Sequence, residues 1–263
     1  MNNEMPKVAV VIPCYKVSKN LKSVLNEIGP EVTFIYCVDD NCPEESWKTA
    51  ESIANNDNRI RVIRREKNGG VGAAVISGYK AALKDDAEII VKIDGDGQMS
   101  PKLVPKFIKP IIENRADFIK GNRFYDLKSI SGMPFVRIFG NSILSFINKF
   151  SSGYWNLFDP NNGFIAIHAK VLRLVPMEKL NKRFFFEADM LFRLSTIRAV
   201  VKDIPMDSVY DDEKSNLSIL NILVTFPYLH LNRTAKRIFY NYFLRNFNIA
   251  SLYFILGIFL SIF

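Results

Sequence analysis

Two aspartates separated by a single glycine, in Val91-Lys-Ile-Asp-Gly-Asp-Gly-Gln98, carry the most informative chemistry in the chain. They follow an apolar run of strand length, Glu88 to Ile93. Carboxylates so placed can share a divalent cation with a diphosphate, because Mg2+ or Mn2+ prefers oxygen ligands and keeps coordination sites for water and phosphate. The glycines let a ligand approach the backbone closely. A polar turn after a strand is the ordinary alternative.

Other clusters are weaker alone. Asp39 and Asp40 end another strand-length run and could accept hydrogen bonds from a base or ribose, or form a turn or helix cap. Asn68-Gly-Gly-Val-Gly72-Ala73-Ala74 is a glycine-rich entry to a helix, where backbone N–H groups could meet phosphate. It is a poor dinucleotide fingerprint, since Val75 stands where the third glycine belongs. Arg123 follows a strand and could pair with a diphosphate or be a solvated surface arginine. Glu187 and Asp189, within Phe184-Phe-Phe-Glu-Ala-Asp-Met190, are candidate general bases beside aromatic rings, or acids favoured at a helix start. His168 and His230 stand alone and read as packing or surface residues.

The elements that must position these groups follow from periodicity. Val8 to Ile12 is a continuous apolar run, and Phe34 to Val38, Arg59 to Arg64 and Glu88 to Ile93 read as further strands. Between them lie helical patterns at Asn20 to Ile28, Glu44 to Asn55 and Gly70 to Leu83. That alternation predicts an α/β fold with a mostly parallel sheet, flanking helices and right-handed crossovers. Ligands in such sheets bind beyond the carboxyl ends of the strands, where Cys14-Tyr15, Asp39-Asp40 and Asp94-Gly-Asp96 would converge. Later strands are expected at Ala116 to Lys120, Phe164 to His168 and Val200 to Pro205. Helices are expected at Val136 to Phe150 and near Lys170 to Leu174. No element is assigned to residues 99–115.

Composition bounds the partners. The 263 residues are 48% hydrophobic with a net charge of +8, which suits a packed core and anionic partners. Cys14, Cys37 and Cys42 lack metal or disulfide spacing and read as reduced thiols. The N-terminus does not read as a signal peptide, so the globular part is expected in the cytoplasm. No acid follows Glu213, whereas Arg233, Lys236, Arg237 and Arg245 precede an uncharged run from Ile249 to Phe263. Those 15 residues would span only about 22 Å as a helix, so they lie in an interface or form part of a span. Residues 1–215 are expected as the catalytic domain, 216–248 as a basic amphipathic juxtamembrane segment and 249–263 as an apolar membrane anchor. The basic flank places the domain on the cytoplasmic face.

Taken together the clusters resemble the family 2 glycosyltransferases of the GT-A fold, most closely the polyprenyl-phosphate or dolichyl-phosphate hexose synthase branch. The resemblance rests on Val10-Val-Ile-Pro13-Cys-Tyr15, Val38-Asp-Asp40, Gly69-Gly-Val-Gly-Ala73, Lys92-Ile-Asp-Gly-Asp-Gly-Gln98, Gly121-Asn-Arg123, Asp159-Pro-Asn-Asn-Gly-Phe164 and Phe186-Glu187, in order from Lys7 to Leu217. It implies that the first strand end, with Pro13 and Tyr15, and Asp39 and Asp40 hold the base and ribose of a nucleotide sugar. It further implies that Asp94 contacts the donor, that Asp96 and Gln98 face the metal, Mg2+ or Mn2+, and the diphosphate, and that Arg123 neutralises phosphate. The implied reaction inverts the anomeric carbon. Lys16-Val17 and Asn41-Cys42 depart from the family pattern, and Asp211-Asp-Glu-Lys-Ser-Asn-Leu217 is acidic where lipid-phosphate synthases are often basic.

The expected acceptor is membrane-borne, a polyprenyl phosphate before a hydroxyl of a lipid-linked saccharide, because a phosphate is already an anion and needs no base. An aspartyl-nucleophile phosphatase would place its Asp-Gly-Asp after an early strand, with Thr where Gln98 stands. A non-catalytic nucleotide-sugar-binding adaptor at the membrane predicts donor binding without turnover. Nucleic acid is not an expected partner, since the basic residues gather beside the apolar tail and no binding motif appears. A membrane surface explains them, and homo-oligomerisation is left open.

Overall fold

The strand-length segments of the first half pair side by side as parallel strands, those of the sheet centre buried on both faces and Ile60–Arg64 at the partly exposed edge. The computed structural model describes residues 5–125, 135–207 and 219–262. Strands β1 (Val8–Cys14), β2 (Phe34–Asp39), β3 (Ile60–Arg64) and β4 (Ile89–Lys92) alternate with helices α1 (Ser18–Asn26), α2 (Ser46–Ala54) and α3 (Val71–Lys84). Helix α4 (Val104–Ile112), β5 (Phe118–Asn122), α5 (Phe135–Ser152), β6 (Ile165–His168), α6 (Ala169–Leu174), α7 (Phe186–Thr196) and β7 (Val201–Pro205) follow. The described chain ends in α8 (Ile219–Phe239), a π-helical turn (Tyr240–Arg245) and α9 (Ile249–Ile262).

The seven strands form one sheet in the order β3-β2-β1-β4-β6-β5-β7. Every pairing is parallel except those of β6 with β4 and with β5. Reversal at β6 puts the loop before it, Asp159 to Phe164, at the same edge as the carboxyl ends of β1, β2, β4 and β5. That edge is where the polar clusters collect.

Alternation along the strands divides the core in two. Val10, Ile12, Ile35, Val91 and Ile119 face α1, α2 and α4, where the Phe107 and Phe164 rings stack at 3.9 Å. Val11, Val38, Ile90, Phe118 and Ile165 face α3, α6 and α7. Helix α4 lies where no element was expected. It accommodates two prolines: Pro105 occupies the first turn, where its missing N–H is not needed, and Pro110 lies near the end.

The tail is more integrated than an appended segment. Helix α8 packs against α5 and α7, and the expected boundary at residue 215 falls outside the described residues. Helix α9 has 14 residues, and no helix among the described residues is long and apolar enough to cross a membrane. All three cysteines are buried and free; Cys42 Sγ accepts from the Lys16 N–H at 3.0 Å.

Helix α3 approaches the sheet closely because Gly78 has no side chain. A Cβ there would collide with Val11 on β1 and press on Val38 on β2. Gly78→Ala is therefore expected to lower unfolding stability by about 1–3 kcal/mol through overpacking, measured by urea denaturation. An unchanged midpoint would show that α3 shifts away at no cost.

Candidate active site

The strand order places the ends of β2, β1 and β4 next to one another, so Asp39-Asp40, Cys14-Tyr15 and Asp94-Gly-Asp96 adjoin. Two bonds knit them: the Asp40 N–H donates to the Cys14 carbonyl at 3.1 Å, and the Asn20 amide donates to the Asp96 carbonyl at 2.6 Å.

At the centre is Lys92, the last residue of β4, whose side chain is only 1% exposed. Its ammonium lies 2.8 Å from Asp94 Oδ1 and 3.0 Å from Glu187 Oε1, at the start of α7. Burial pushes Lys92 towards its neutral form, but Asp94 and then Glu187 outweigh that and hold its pKa above the ordinary lysine value. The loop before β6 closes over the pair. A Cβ on Gly163 would overlap both Asp94 and the Lys92 ammonium, so only glycine fits there.

A second buried lysine, Lys120 on β5, lies across Ile165 from Lys92, since both pair with that residue in register. Its ammonium donates to the Asn162 carbonyl at 2.5 Å. Burial pushes the Lys120 pKa down to about 8, although Glu187 and Asp159 draw it back up. Asp159 grips Arg123 through two oxygens, at 2.7 and 2.9 Å. Asn162 ties the loop together, donating to Asp159 at 3.2 Å and accepting from the Phe164 N–H at 2.8 Å. Three cations, Lys92, Lys120 and Arg123, thus interleave with Asp94, Glu187 and Asp159.

The remaining expected residues divide. Pro13 is buried within β1, and Tyr15 stands exposed just past its end. Asp39 accepts from the Cys42 and Trp47 N–H groups at 3.0 and 3.3 Å, which anchors the entry to α2. Asp40 is ion-paired with Arg65 and accepts from the Gly69 and Gly70 N–H groups, the latter at 2.7 Å. Its carboxylate is spent on holding the glycine-rich turn. That turn is not an open phosphate cradle: Gly72 is covered by Asn181 and Phe186, and the Ala73 N–H donates to the Lys182 carbonyl at 3.0 Å.

Asp189 is a structural residue in this geometry and not a companion base to Glu187. Two residues apart on a helix, the side chains point to different faces. Asp189 is fully buried, accepting from Arg233 Nε of α8 at 2.6 Å and from the Asn181 N–H at 2.9 Å. The histidines behave as packing residues. His168 caps α6 by accepting from the Lys170 N–H, and His230 is buried against Phe185 with its Nδ1 2.8 Å from Ser151 Oγ.

The side chains expected to face a divalent cation lie at the second aspartate of the Asp-Gly-Asp turn. Asp96 and Gln98 are partly exposed, and Asp96 Oδ1 accepts from the Gln98 N–H at 3.0 Å. Among the described residues no group of three or more His, Cys, Asp or Glu side chains could hold a metal unaided. Asp96 and Gln98 offer oxygen donors, the type a hard cation takes, and such a cation would draw its other ligands from phosphate and water.

Residues 9–175, well over half the chain, match the model of the family described as glycosyl transferase family 2. The chain belongs to that family. It is a glycosyltransferase of GT-A fold. It is 28% identical over 232 residues to a UDP-N-acetylglucosamine–dolichyl-phosphate N-acetylglucosaminyltransferase of Methanococcus voltae, covering 83% of this chain and 92% of the relative. It is 25% identical to an undecaprenyl-phosphate mannosyltransferase of Micrococcus luteus, over 77% of this chain and 84% of that one. The fold matches glucosyl-3-phosphoglycerate synthase of Mycobacterium tuberculosis, solved with Mn2+, UDP and phosphoglyceric acid. The TM-score is 0.64 at 16% identity, over 88% of this chain and 78% of that one.

Lys92, Lys120, Asp159 and Asn162 were not singled out from sequence as site residues. The available signal was a lysine inside an otherwise apolar strand, in Ile89-Ile-Val-Lys92 and Phe118-Ile-Lys120.

Two outcomes test this geometry. Asp189→Asn should cost about 3 kcal/mol by stranding the largely buried Arg233, and Asp189→Asn/Arg233→Met should lose much less than the sum of the single changes. Additive losses in urea unfolding would sink the pairing. Lys120, titrating near pH 8 folded and near 10.5 unfolded, binds a proton in the unfolded but not the folded chain between those values. Its contribution to stability therefore rises with pH across that window and is lowest below pH 8. Lys120→Met should remove that part of the slope.

Proposed function

We propose that this glycosyltransferase moves a sugar from a nucleotide-sugar donor to a polyprenyl phosphate, with inversion at the anomeric carbon and with Mg2+ or Mn2+, at the cytoplasmic face of a membrane. The observation that carries the acceptor is that both candidate bases are occupied. Glu187 is ion-paired with the buried Lys92, and Asp189 is committed to Arg233. A sugar hydroxyl needs a base to take its proton, whereas a phosphate monoester arrives as an anion. The names of the Methanococcus and Micrococcus relatives, both acting on lipid phosphates, support the same choice.

In this reading an acceptor phosphate oxygen attacks the anomeric carbon as the bond from that carbon to the donor diphosphate oxygen breaks, and the nucleoside diphosphate leaves. Asp96 and Gln98 would hold the cation, which supplies positive charge for the leaving diphosphate. Asp94, partly exposed and fixed by Lys92, would orient the donor sugar. Arg123, steadied by Asp159, would face phosphate. Tyr15 and the ends of β1 and β2 would bound the nucleoside. The basic, apolar tail supports a lipid-borne acceptor.

The test is to incubate the full chain with UDP- and GDP-sugars, polyprenyl phosphate and Mg2+ or Mn2+, and to follow sugar entering the organic phase. Transfer to the phosphate is expected with one base, and Asp96→Ala should lower kcat by about 100-fold or more at unchanged Tm. Transfer only to a lipid-linked saccharide, with none to the phosphate, would overturn the acceptor. Unchanged turnover in Asp96→Ala would overturn the metal assignment.

A further inference from the structure

Helix α5 is inside out. Its inward face carries Ser145, Asn148, Ser151 and Ser152, all at most 2% exposed. Its outward face carries Phe139, Ile143, Phe146 and Phe150, at a spacing of four, three and four residues that lines them along one side. Their exposures run from 41% for Phe150 to 58% for Phe139 and Phe146. The stripe continues off the helix, with the Phe146, Phe150 and Trp155 rings in successive edge-to-face contacts at 5.1 Å. An amphipathic helix on a water-facing domain has the opposite polarity.

The charge around this stripe indicates what covers it. Residues 127–158 contain Lys128, Arg137 and Lys149 and no acid, and residues 214–263 contain five basic residues and no acid. The two acid-free stretches meet, since α5 packs along α8. At their junction a cavity of about 310 Å3 is lined by Ser152, Tyr154, Arg198, Arg237 and Asn241 among others. Neither arginine pairs with a carboxylate among the described residues. Helix α9, exposed along almost its whole length and apolar all round, extends the same acid-free part of the chain. Exposed aromatic side chains bordered by two arginines that form no carboxylate ion pair among the described residues, Arg237 donating instead to the Phe150 carbonyl at 2.9 Å, match a bilayer interface, where rings sit at headgroup level and basic groups meet lipid phosphates.

We propose that the outward face of α5, together with α8 and α9, is a composite docking surface for an anionic lipid bilayer, with Arg198 and Arg237 facing headgroup phosphates. Membrane contact then belongs to the catalytic domain itself and not to the tail alone. This deepens the membrane location in the proposed function, but its readout is lipid binding, so failure of sugar transfer leaves it standing.

The test is flotation of the full chain with vesicles of phosphatidylcholine alone or mixed with phosphatidylglycerol. Binding should be stronger with phosphatidylglycerol and weaken with salt. Phe139→Ser/Phe146→Ser should cut the bound fraction at least about tenfold. The thermal shift given by nucleoside diphosphate should be kept, because both rings are more than half exposed and stand outside the carboxyl edge of the sheet. Arg198→Ala/Arg237→Ala should remove the preference for phosphatidylglycerol. If the phenylalanine variant floats as the parent does, α9 alone anchors the chain and the proposal falls. It falls equally if sedimentation shows a dimer that this variant dissociates while vesicle binding persists.

Discussion

An ammonium group placed in the core of a sheet sets the terms for everything around it. Lys92 ends the central strand β4 with almost no exposure, and a charge so buried costs several kcal/mol unless it is matched closely. Asp94 supplies one match from two residues along the same strand exit. Glu187 supplies the other from 95 residues further on. The first requirement fixes the path of the Asp-Gly-Asp turn; the second fixes where α7 begins. Gly163 is the third consequence, since the loop leading into the reversed strand β6 must pass over the pair with no side chain in the way. Strand order, helix start and loop composition thus answer to one cation.

That arrangement also defines which groups are left for chemistry. A glutamate locked to a buried lysine is a poor candidate to collect a proton, and Asp189 is further removed still. What the edge offers is charge already in position: Asp94 held from beneath, Arg123 held by Asp159, and Asp96 on a partly exposed turn. Fixed charges cost no reorganisation when a diphosphate departs. An edge so equipped is suited to separating two anions, the leaving diphosphate and an incoming phosphate, and less suited to deprotonating an alcohol.

Much of this was legible in the residues and some was not, for identifiable reasons. The strands and their carboxyl ends could be read because two-sided burial leaves continuous apolar runs, and Asp94, Asp96 and Asp39-Asp40 follow them directly. Helix α4 was hidden by prolines whose positions, first turn and last turn, are the tolerated ones. Lys92 and Lys120 were visible as interruptions of apolar runs. Their meeting across Ile165 depends on β6 entering between β4 and β5, a pairing that no local pattern encodes. Gly72 and Ala73 had the residue types of a phosphate cradle and Asp40 those of a ribose contact, but the closure of residues 181–186 over the turn and the pairing of Asp40 with Arg65 are tertiary events. The resemblance named the family correctly, yet it could not distinguish Glu187 from Asp189, whose roles diverge only once α8 is in place.

That divergence links the two ends of the molecule. One turn of α7 sends Glu187 inward to the sheet lysine and Asp189 outward to Arg233 on α8. Helix α8 in turn carries His230, whose ring nitrogen meets Ser151 on the polar inner face of α5. Buried polar groups thus share the work of holding α5 and α8 to the domain with the Phe226 ring of α8, which packs edge-on against Phe185, while Phe139, Phe146 and Phe150 face outward. A domain that faced water on all sides would place them the other way round, with rings inside and serines outside. The proposed lipid contact asks for this inversion, an outer surface of these helices less polar than the inner one. The short path from that surface through Arg233 and Asp189 to the helix bearing Glu187 ties the outer helices and the carboxyl edge of the sheet into one frame.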